Sequence, residues 1–526
     1  MSSPSHRSAA APRSAPGWSA VSGVVAGLVL VAVAELLSLA FSSSSAPFVA
    51  VGSAFVDIVP PGVKDLVISL FGTRDKLVLF ASMIVVYAAL TALIGRLGAA
   101  RPRPAAALLA GLGVLAMVLV LTRAQNTALD VVPTLVGTVV AVPTLLLLLR
   151  TVRAPAAAGD AAGDAGTAWT RRRSLLGVGA VGVLAVVAAV TARSVTASRE
   201  LARRTAQYVL PAPRSTAEPV PADAQVELAG MPPFVTPNSE FYRIDTALAV
   251  PRVDPTTWQL RIHGLVDQEL TIDFAQLLEE PMIEKHVTLA CVSNPVGGDL
   301  AGNATWLGVP VRTLLERAGV KDGADMVLSR SIDGFTASTP LEALTDDRDS
   351  LIAVGMNGEP LPAQHGYPVR MVVPGLYGYV SATKWLTELK VTTFADDVAY
   401  WSTRGWTERG PIKIASRVDV PRSFGELSPE ADGTVMLGGT AWAQQRGIAA
   451  VEVRIDDGDW REAELGAEVS QDTWVQWSLR WEDAEPGDHS VTVRATDGER
   501  EVQTEERANP APNGASGWHT VRFSVA

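Results

Sequence analysis

Residues 286 to 306 read HVTLACVSNPVGGDLAGNATW, and this stretch contains Cys291, the one cysteine in a chain of 526 residues. A single cysteine cannot form an internal disulfide or supply the four ligands of an iron–sulfur cluster or a structural zinc ion. It can give one thiolate to a metal that a cofactor brings in. The apolar run before Cys291 predicts a strand, and the glycines and proline after it predict a turn. Since a lone cysteine is more often a small buried apolar residue, the neighbouring sequence must decide between the two interpretations.

Four separated blocks of sequence resemble the molybdenum-cofactor domain of the sulfite oxidase family. They occur in the order of that family, and they are MPPFVTPNSEFYRID at 231–245, the stretch around Cys291, MNGEPLP at 356–362 and HGYPVRMVVPGLYGYVSATKWL at 365–386. In that family a cysteine in a segment of this kind binds molybdenum through its sulfur. The resemblance therefore implies that Cys291 is the molybdenum ligand of a molybdopterin-dependent oxidoreductase.

The resemblance also implies which residues hold the cofactor, a pterin dithiolene that ends in a phosphate. Cations and backbone donors must bind the anionic phosphate and the pterin. The residues implied for cofactor binding are Asn238, Tyr242, Arg243, Asp333, His365, Arg370, Ser381, Thr383 and Lys384. Cys291, Tyr242 and Arg243 are the residues expected at the reacting centre. Arg370 and Lys384 lie beside apolar strand-like runs, where an unpaired charge would be costly.

The first third of the chain is strongly apolar. Five runs are long enough to cross a bilayer core, which needs roughly 20 residues, and they are 18–41, 77–97, 105–122, 129–149 and 174–192. The arginines between these runs favour a cytoplasmic amino terminus, so that everything after the fifth run lies outside the cytoplasm. We therefore predict a multi-pass anchor in the plasma membrane and an extracytoplasmic catalytic part.

The fifth run is preceded by TRRRSLLG at 170–177, which resembles a twin-arginine export signal with Arg171 and Arg172 as the pair. Enzymes with a molybdenum cofactor acquire it in the cytoplasm and cross the membrane folded, so such a signal fits the predicted topology. The alternative is the ordinary positively charged flank of a membrane helix.

Composition, periodicity and the resemblance together divide the chain into five segments. They are a cytoplasmic tail at 1–17, a membrane domain at 18–193, a linker at 194–235, a molybdopterin-binding oxidoreductase domain at 236–400 and a β-sandwich at 411–526. Strand-like runs alternate with short helical runs in the oxidoreductase domain, which predicts an α+β fold. The last segment alternates polar and apolar residues between regularly spaced turns. The resemblance implies that it is an immunoglobulin-like dimerisation domain and that the chain forms a homodimer.

The resemblance implies two-electron transfer of oxygen to or from a small substrate, and one departure bears on that substrate. In sulfite oxidases an arginine closely follows the molybdenum cysteine, whereas residues 292–296 here contain no cation. Arg243 and Arg404 are candidates to compensate, and Tyr400 or Trp406 would replace a tyrosine that usually follows the last strand of the domain. Sulfite is therefore one candidate, beside the sulfoxides and N-oxides that periplasmic members of the family reduce.

A third hypothesis is an anchored scaffold or receptor that uses the immunoglobulin-like domain without a cofactor. For the enzyme, we expect neither haem nor an iron–sulfur cluster, because no histidine occurs between His6 and His263 and only one cysteine is present. Electrons would then pass to an external partner, either a soluble cytochrome or a quinone-linked protein. The net charge of −11 argues against nucleic acid and allows a basic protein partner.

Overall fold

The chain folds into two compact units in a computed structural model. The helical unit comprises Met1–Ala202 with Ala247–Arg252, and the β-rich unit comprises Arg203–Thr246 with Val253–Ala526. The predicted fifth run, the pair Arg171 and Arg172, and parts of the predicted tail and linker lie outside the described residues. The structure describes residues 16–42, 44–60, 63, 75–124, 126–153, 208–482 and 484–526.

Apolar helices make up the described part of the helical unit. They are α1 (Pro16–Leu37), α2 (Pro47–Ile58), α3 (Asp75–Ala100), α4 (Pro102–Leu121) and α5 (Val132–Arg153). Within the described ranges, four helical segments are long and apolar enough to cross a membrane, and they correspond to α1, α3, α4 and α5. These four coincide with the first four predicted runs, which makes the unit compatible with membrane anchoring.

Helices α1 and α3 approach each other at two glycines. A Cβ atom on Gly95 would overlap the carbonyl oxygen of Ser19 and lie 2.7 Å from the backbone nitrogen of Gly23. A Cβ atom on Gly23 would in turn overlap the carbonyl oxygen of Thr91. Small residues let membrane helices pack this closely, and such packing replaces the hydrophobic effect as the attraction between helices in lipid.

The first part of the β-rich unit contains ten strands and four short helices among its described residues. The helices are α6 (Phe274–Glu279), α7 (Val311–Ala318), α8 (Glu342–Thr345) and α9 (Gly378–Ser381). The strands are β1 (Gln259–Gly264), β2 (Leu270–Asp273), β3 (Ile283–Ala290), β4 (Ala301–Pro310), β5 (Met326–Ser331), β6 (Thr336–Pro340), β7 (Leu351–Met356), β8 (Glu359–Pro360), β9 (Arg370–Val372) and β10 (Leu386–Thr392). This is the predicted mixture of strands and short helices.

These strands form two sheets. One has the order β2–β1–β10–β5–β6, and the other has the order β3–β4–β7–β8, with β9 also paired to β7. Strands β3 and β4 form an antiparallel pair whose register runs from Ile283 opposite Gly308 to Ala290 opposite Ala301. Because the pairing ends at Ala290, Cys291 is the first residue of the connecting loop. The strand and the turn that the sequence predicts around Cys291 are both present.

The last part of the β-rich unit is a sandwich of two sheets. Its strands are β11 (Ala415–Val420), β12 (Glu426–Leu427), β13 (Val435–Trp442), β14 (Ile448–Ile455), β15 (Trp460–Glu462), β16 (Glu464–Leu465), β17 (Val475–Trp481), β18 (Gly487–Asp497) and β19 (His519–Val525). The sheet orders are β11–β13–β17–β16 and β12–β19–β18–β14–β15. Both sheets contribute to one buried core, in which Trp477 and Trp481 pack among valines and leucines. The predicted β-sandwich is therefore present and is held together by apolar packing.

We expect Gly95→Ala to weaken the crossing of α1 and α3, because the new methyl group would overlap backbone atoms that cannot move aside cheaply. Overpacking of this kind costs about 1–3 kcal/mol. The matched control is Gly111→Ala in α4, where nothing lies within 4 Å of the added Cβ atom. Thermal unfolding of the detergent-solubilised full chain measures both variants. Equal unfolding midpoints for the two variants would contradict the close crossing.

Candidate active site

Cys291 lies at the start of the loop that joins β3 to β4. Its backbone N–H donates to the carbonyl oxygen of Leu300 at 2.9 Å, and its carbonyl oxygen accepts from the N–H of Asn294 at 3.0 Å. The sulfur lies 2.9 Å from the hydroxyl of Ser293. Burial raises the pKa of the Cys291 thiol, while the hydrogen bonds of Ser293 and the charge of Lys384 lower it. The thiol is thus held in a sheltered position, within the electrostatic influence of a cation.

The loop owes its shape to an asparagine and two glycines. The side-chain oxygen of Asn294 accepts from the backbone N–H of Leu300 at 3.0 Å and so closes the loop. Gly297 has a φ of +76°, which favours glycine because it lacks a Cβ atom. A Cβ atom on Gly298 would overlap the same asparagine oxygen. Asn294, Gly297 and Gly298 are therefore required by the backbone conformation of the loop that begins at Cys291.

Arg370 in β9 is a buried cation in this region. Its Nη1 donates to the carbonyl oxygen of His365 at 3.0 Å, its Nε donates to that of Met371 at 3.3 Å, and the guanidinium lies 4.9 Å from the ring centre of Trp306. Burial lowers the pKa of Arg370 to about 10, so it is still charged at neutral pH. In the part of the chain that the structure describes, no carboxylate pairs with it. A buried charge without a counter-charge is costly, which suits a site that receives an anion.

Lys384 and Arg243 share one carboxylate. Lys384 Nζ lies 2.7 Å from Asp245 Oδ2 and donates to the carbonyl oxygen of Gln364 at 3.1 Å, while Arg243 Nε lies 2.9 Å from the same Asp245 oxygen. Burial lowers the pKa of Lys384 to about 8, although Asp245 opposes that effect. Lys384 and Arg243 therefore share the Asp245 carboxylate, whereas Arg370, the third cation of the region, pairs with no carboxylate among the described residues.

His365 and Asn238 contact each other beside these cations. The His365 ring is 1% exposed, and its Nε2 lies 3.0 Å from the carbonyl oxygen of Asn238. Burial, together with the charges of Arg370 and Lys384, lowers the pKa of His365 to about 4, so the ring is neutral at pH 7. Because Nε2 faces a carbonyl oxygen, we assign the proton to Nε2. The Asn238 side chain accepts from Asn357 Nδ2 at 2.9 Å, which ties this segment to the turn between β7 and β8.

Tyr242 lies within the electrostatic influence of both the thiol and Arg370. Its ring stacks on Phe241 with 5.2 Å between the ring centres. Burial raises the pKa of the Tyr242 hydroxyl, the charge of Cys291 raises it further, and the charge of Arg370 lowers it. Tyr242 is therefore near both groups and keeps its proton at neutral pH. The sequence-predicted residues Cys291, Tyr242, Arg370 and Lys384 are brought into one region.

Ser381 and Thr383 have partners within the fold. Ser381 Oγ donates to the carbonyl oxygens of Leu376 and Tyr377 at 3.2 and 2.9 Å, and Thr383 Oγ1 lies 2.7 Å from Ser329 Oγ. Both side chains are fully buried. These hydroxyl groups therefore stabilise the α9 turn and the strand behind it, and a role of the two residues in cofactor binding stays a prediction.

Asp333 lies close to the pair of Lys384 and Asp245. Burial raises the pKa of Asp333, the charge of Asp245 raises it further, and the charge of Lys384 lowers it. Its side chain accepts from the N–H of Phe335 at 3.3 Å. The predicted hydrogen bond from Asp333 to the pterin stays a prediction, but the residue lies at the cationic side of the site.

Arg404 and Tyr400 are engaged with each other. The Arg404 guanidinium carbon lies 3.5 Å from the ring centre of Tyr400, and its Nη1 donates to the Tyr400 carbonyl oxygen at 2.8 Å. Trp406 packs against Tyr379 and Trp401. The contacts found among the described residues do not join Arg404, Tyr400 or Trp406 to Cys291.

A cavity beside Cys291 has a lining that the sequence analysis did not anticipate. One wall is the loop after Cys291, and the opposite wall comes from the β-sandwich. None of the residues that line it in the described structure is charged. The lining residues not singled out for the site include Tyr377, Ile414, Ser416, Trp442, Gln503 and Gly517. Apart from Tyr377, which lies in the block at 365–386, no local pattern marks them, because long-range packing brings them to the loop.

We expect the cofactor-free chain to lose stability as the pH falls from about 6.5 towards 4. Two buried histidines, His365 and His519, have a pKa that is lowered to about 4. For His519 the causes are burial and the charges of Arg417 and Arg507. An unfolded histidine titrates near 6.5, so in this range the unfolded state binds more protons and acid favours unfolding. His519→Asn should reduce the slope of unfolding free energy against pH by up to about 1.4 kcal/mol per pH unit.

Urea unfolding between pH 7.5 and 5 measures that slope. The control is His489→Asn, which should change the slope in the opposite direction. Burial opposes protonation of His489, but its hydrogen bonds to Asp456 and Glu485 raise its pKa overall. Identical pH dependence in the wild type and His519→Asn would contradict the neutral buried ring.

Comparison with known proteins identifies the family. The family described as an oxidoreductase molybdopterin binding domain matches residues 247–401. YuiH of Bacillus subtilis, an uncharacterized oxidoreductase, is 35% identical over 157 residues, which are 30% of this chain and 76% of YuiH. Mitochondrial sulfite oxidase of Mus musculus is 29% identical over 340 residues, which are 56% of this chain and 62% of that protein. This chain therefore matches less than two thirds of the length of the mouse enzyme.

A solved structure, the sulfane dehydrogenase SoxCD from Paracoccus pantotrophus, is similar over 56% of this chain and 82% of that chain, with a TM-score of 0.47 and 23% sequence identity. The match to the family spans the β3–β4 loop with Cys291 and the strand with Arg370. Cys291, His365, Arg370 and Lys384 therefore lie within the matched residues, whereas Asn238, Tyr242 and Arg243 precede them. This chain belongs to the sulfite oxidase family of molybdopterin-dependent oxidoreductases.

Proposed function

We propose that this chain is a membrane-anchored enzyme that transfers oxygen to or from a small substrate on the extracytoplasmic side, using a molybdenum cofactor bound at Cys291. The observation that carries the proposal is the buried Arg370, which has no carboxylate partner among the described residues, in the same region as the thiol. An anionic phosphate and pterin would offset this charge through charge-assisted hydrogen bonds. The alternative of a cofactor-free scaffold gives no reason for burying the cation there.

The residues present fit such a cofactor. A thiolate from Cys291 is a soft ligand of the kind that molybdenum accepts from the family's cysteine. Among the described residues, no group of three or more His, Cys, Asp or Glu could hold a metal ion. A metal at Cys291 would therefore take its other ligands from an organic cofactor. When bound, the cofactor supplies two-electron redox chemistry, while the protein provides binding, orientation and electrostatics.

Each residue of the site has a proposed task. Arg370 and Lys384 bind the anionic part of the cofactor. His365 is neutral with its proton on Nε2, so its Nδ1 can accept a hydrogen bond from the pterin. Tyr242, protonated at neutral pH, donates near the sulfur of Cys291. Asn238 positions His365 through its carbonyl oxygen.

Arg243 is the proposed contact for a charged substrate. Its side chain is 36% exposed although it pairs with the buried Asp245. A guanidinium in this position has further N–H donors for an anion. Asp333, Ser381 and Thr383 complete the proposed cofactor-binding set.

The setting of the enzyme is also a proposal. Four apolar helices support an anchor, and the arginines of the intervening loops support a plasma-membrane protein whose catalytic part is extracytoplasmic. The two-sheet sandwich supports an immunoglobulin-like domain that mediates dimerisation. Electrons would be exchanged with a soluble cytochrome or a quinone-linked protein. The domain boundaries proposed from the sequence are 18–193, 236–400 and 411–526.

A second candidate reaction is the reduction of an uncharged sulfoxide or N-oxide. It is favoured by the cavity beside Cys291, whose lining includes Tyr377, Trp442 and Ile414 but no charged side chain. A sulfite anion that leaves water for such a cavity would need paired donors, which Arg243 would have to supply.

We expect Arg370→Met to lower the molybdenum and pterin content of the purified chain at least about tenfold, which corresponds to about 1.4 kcal/mol of binding. The cofactor-free variant should unfold at the same or a higher temperature, because a buried charge is removed. Metal analysis and pterin fluorescence measure the content. The matched control is Arg261→Met, whose guanidinium is half-exposed and pairs with Glu269. Wild-type content in Arg370→Met would overturn the proposed role.

We expect Cys291→Ser to lower oxygen transfer at least about a hundredfold, since even the supporting residues of a metal site cost 10–100-fold when changed. Sulfite oxidation with an artificial acceptor and sulfoxide reduction with a chemical donor are assayed side by side. Activity in the reductive assay alone would favour the uncharged substrate. A chain without molybdenum or pterin, in which Cys291→Ser changes nothing, would support the scaffold instead.

A further inference from the structure

Strand β3, which ends just before Cys291, forms hydrogen bonds with the β-sandwich. Thr288, three residues before the cysteine in β3, donates its N–H to the carbonyl oxygen of Asp472 at 2.9 Å. Its carbonyl oxygen accepts from Gln444 Nε2 at 3.0 Å, and its hydroxyl oxygen accepts from the N–H of Trp474 at 2.8 Å. All three partners belong to the sandwich segment. The edge of β3 opposite β4 is thus held by the carboxy-terminal part of the chain.

Arg417 in β11 reaches from the sandwich to the loop itself. Its Nη1 donates to the carbonyl oxygen of Gly298 at 2.9 Å. Its Nε lies 2.7 Å from Asp419 Oδ1, and the side chain is 8% exposed. The guanidinium carbon lies 6.0 Å from the ring centres of both Trp442 and Trp474. With its carboxylate and aromatic neighbours fixed in sheet strands or beside them, the buried guanidinium is a rigid donor to the loop.

His519 in β19 contacts the preceding residue of the loop. Its Nδ1 accepts from the backbone N–H of Val418 at 3.0 Å, which fixes the orientation of the ring. A Cβ atom on Gly297 would overlap the imidazole at Nε2 and Cδ2. The ring therefore packs directly on the backbone of the loop, at the residue whose positive φ turns the chain. Gly297 is needed both for its backbone conformation and for this close approach.

We infer that Arg417 and His519 are positioning residues, supplied by the β-sandwich, that fix the loop at Gly297 and Gly298 and so set the position of the Cys291 sulfur relative to a bound cofactor. The role in tuning the metal rests on the proposed function. We call the contacts of Arg417 with Gly298 and of His519 with Gly297 the clamp. The clamp is a property of the chain and can be tested without a cofactor. The sandwich would then have a task at the reacting centre, beyond any role in dimerisation.

The physical reason is the short path from the clamp to the sulfur. Gly297 and Gly298 are joined to Cys291 by a loop whose own hydrogen bonds run through Asn294 and Leu300. If the clamp is removed, one end of this closed loop is released, and the thiol gains freedom to move. Residues that orient a metal ligand typically change affinity or activity 10–100-fold when they are replaced.

The first test is the rate at which a thiol reagent modifies the cofactor-free full chain under native conditions. Because Cys291 is the one cysteine of the chain, the rate reports on this loop alone. Arg417→Met keeps the length of the side chain but removes the donor, and His519→Asn keeps an acceptor for Val418 but removes the ring. We expect each variant to react at least about tenfold faster, as local opening becomes easier.

The control is Arg480→Met, an arginine on β17 of the same sheet whose side chain is 50% exposed. It should react at the wild-type rate. Unfolding midpoints of all variants are measured in parallel, so that faster reaction from global unfolding is recognised. Should Arg417→Met fail to fold, His519→Asn and Arg417→Lys decide the result. Wild-type reaction rates in the folded variants would overturn the inference.

The second test is the Mo(V) electron paramagnetic resonance spectrum of the cofactor-loaded chain. The g-values of the Arg417→Met spectrum should differ from those of the wild type. Arg417→Lys should restore part of the wild-type spectrum because it retains a cationic donor. Faster thiol modification with an unchanged spectrum would overturn the positioning role, since the clamp would then only stabilise the loop. If the chain binds no molybdenum, the proposed function fails, and the modification rates alone confirm or reject the clamp.

Discussion

The burial of positive charge beside a buried thiol is the constraint on which this site depends. Arg370 and Lys384 are both withdrawn from water, and one carboxylate, Asp245, is shared between Lys384 and Arg243. Burying charge costs free energy unless a counter-charge is nearby. The buried charges of Arg370 and Lys384 are therefore unfavourable for the fold without an anion, and a bound anionic cofactor would offset them. The lowered pKa values of Arg370, Lys384 and His365 have this same cause.

Two different surfaces lie beside Cys291, one cationic and one without charge. On one side, the residues that carry the similarity to sulfite oxidases form a cationic region that includes Tyr242, Arg370 and Lys384. On the other side, the β-sandwich provides a wall without charge and contacts the loop through Arg417 and His519. Under the proposed function, the cofactor and the substrate would contact different walls of this site. Because residues 292–296 contain no cation, an anionic substrate would need a cation from elsewhere in the chain, and Arg243 is the proposed one.

Much of this organisation could be predicted from local sequence. The apolar runs predicted the first four membrane-compatible helices, and alternation predicted the sandwich, because hydrophobic periodicity directly reflects which face of an element is buried. The capping residue Asp273 and the apolar spacing after it are typical of the short helix α6, whose first turn is closed by Gln276. The residues of the cationic region were implied by the resemblance, and the structure brings Cys291, Tyr242, Arg370 and Lys384 together.

The remaining features were decided by tertiary structure. The resemblance implies that Ser381 and Thr383 bind the cofactor, which stays a prediction, and only the structure shows the partners that their buried hydroxyls have inside the fold. Arg417 and His519 have no local pattern that marks them, since they meet the loop only through strand pairing in the sandwich. By itself, the sequence determined which segments are apolar, that the thiol lies where a strand gives way to a turn, and which family the chain resembles. Only the tertiary structure decided which distant side chains surround that thiol, because contacts between residues more than a hundred positions apart depend on how the sheets pack.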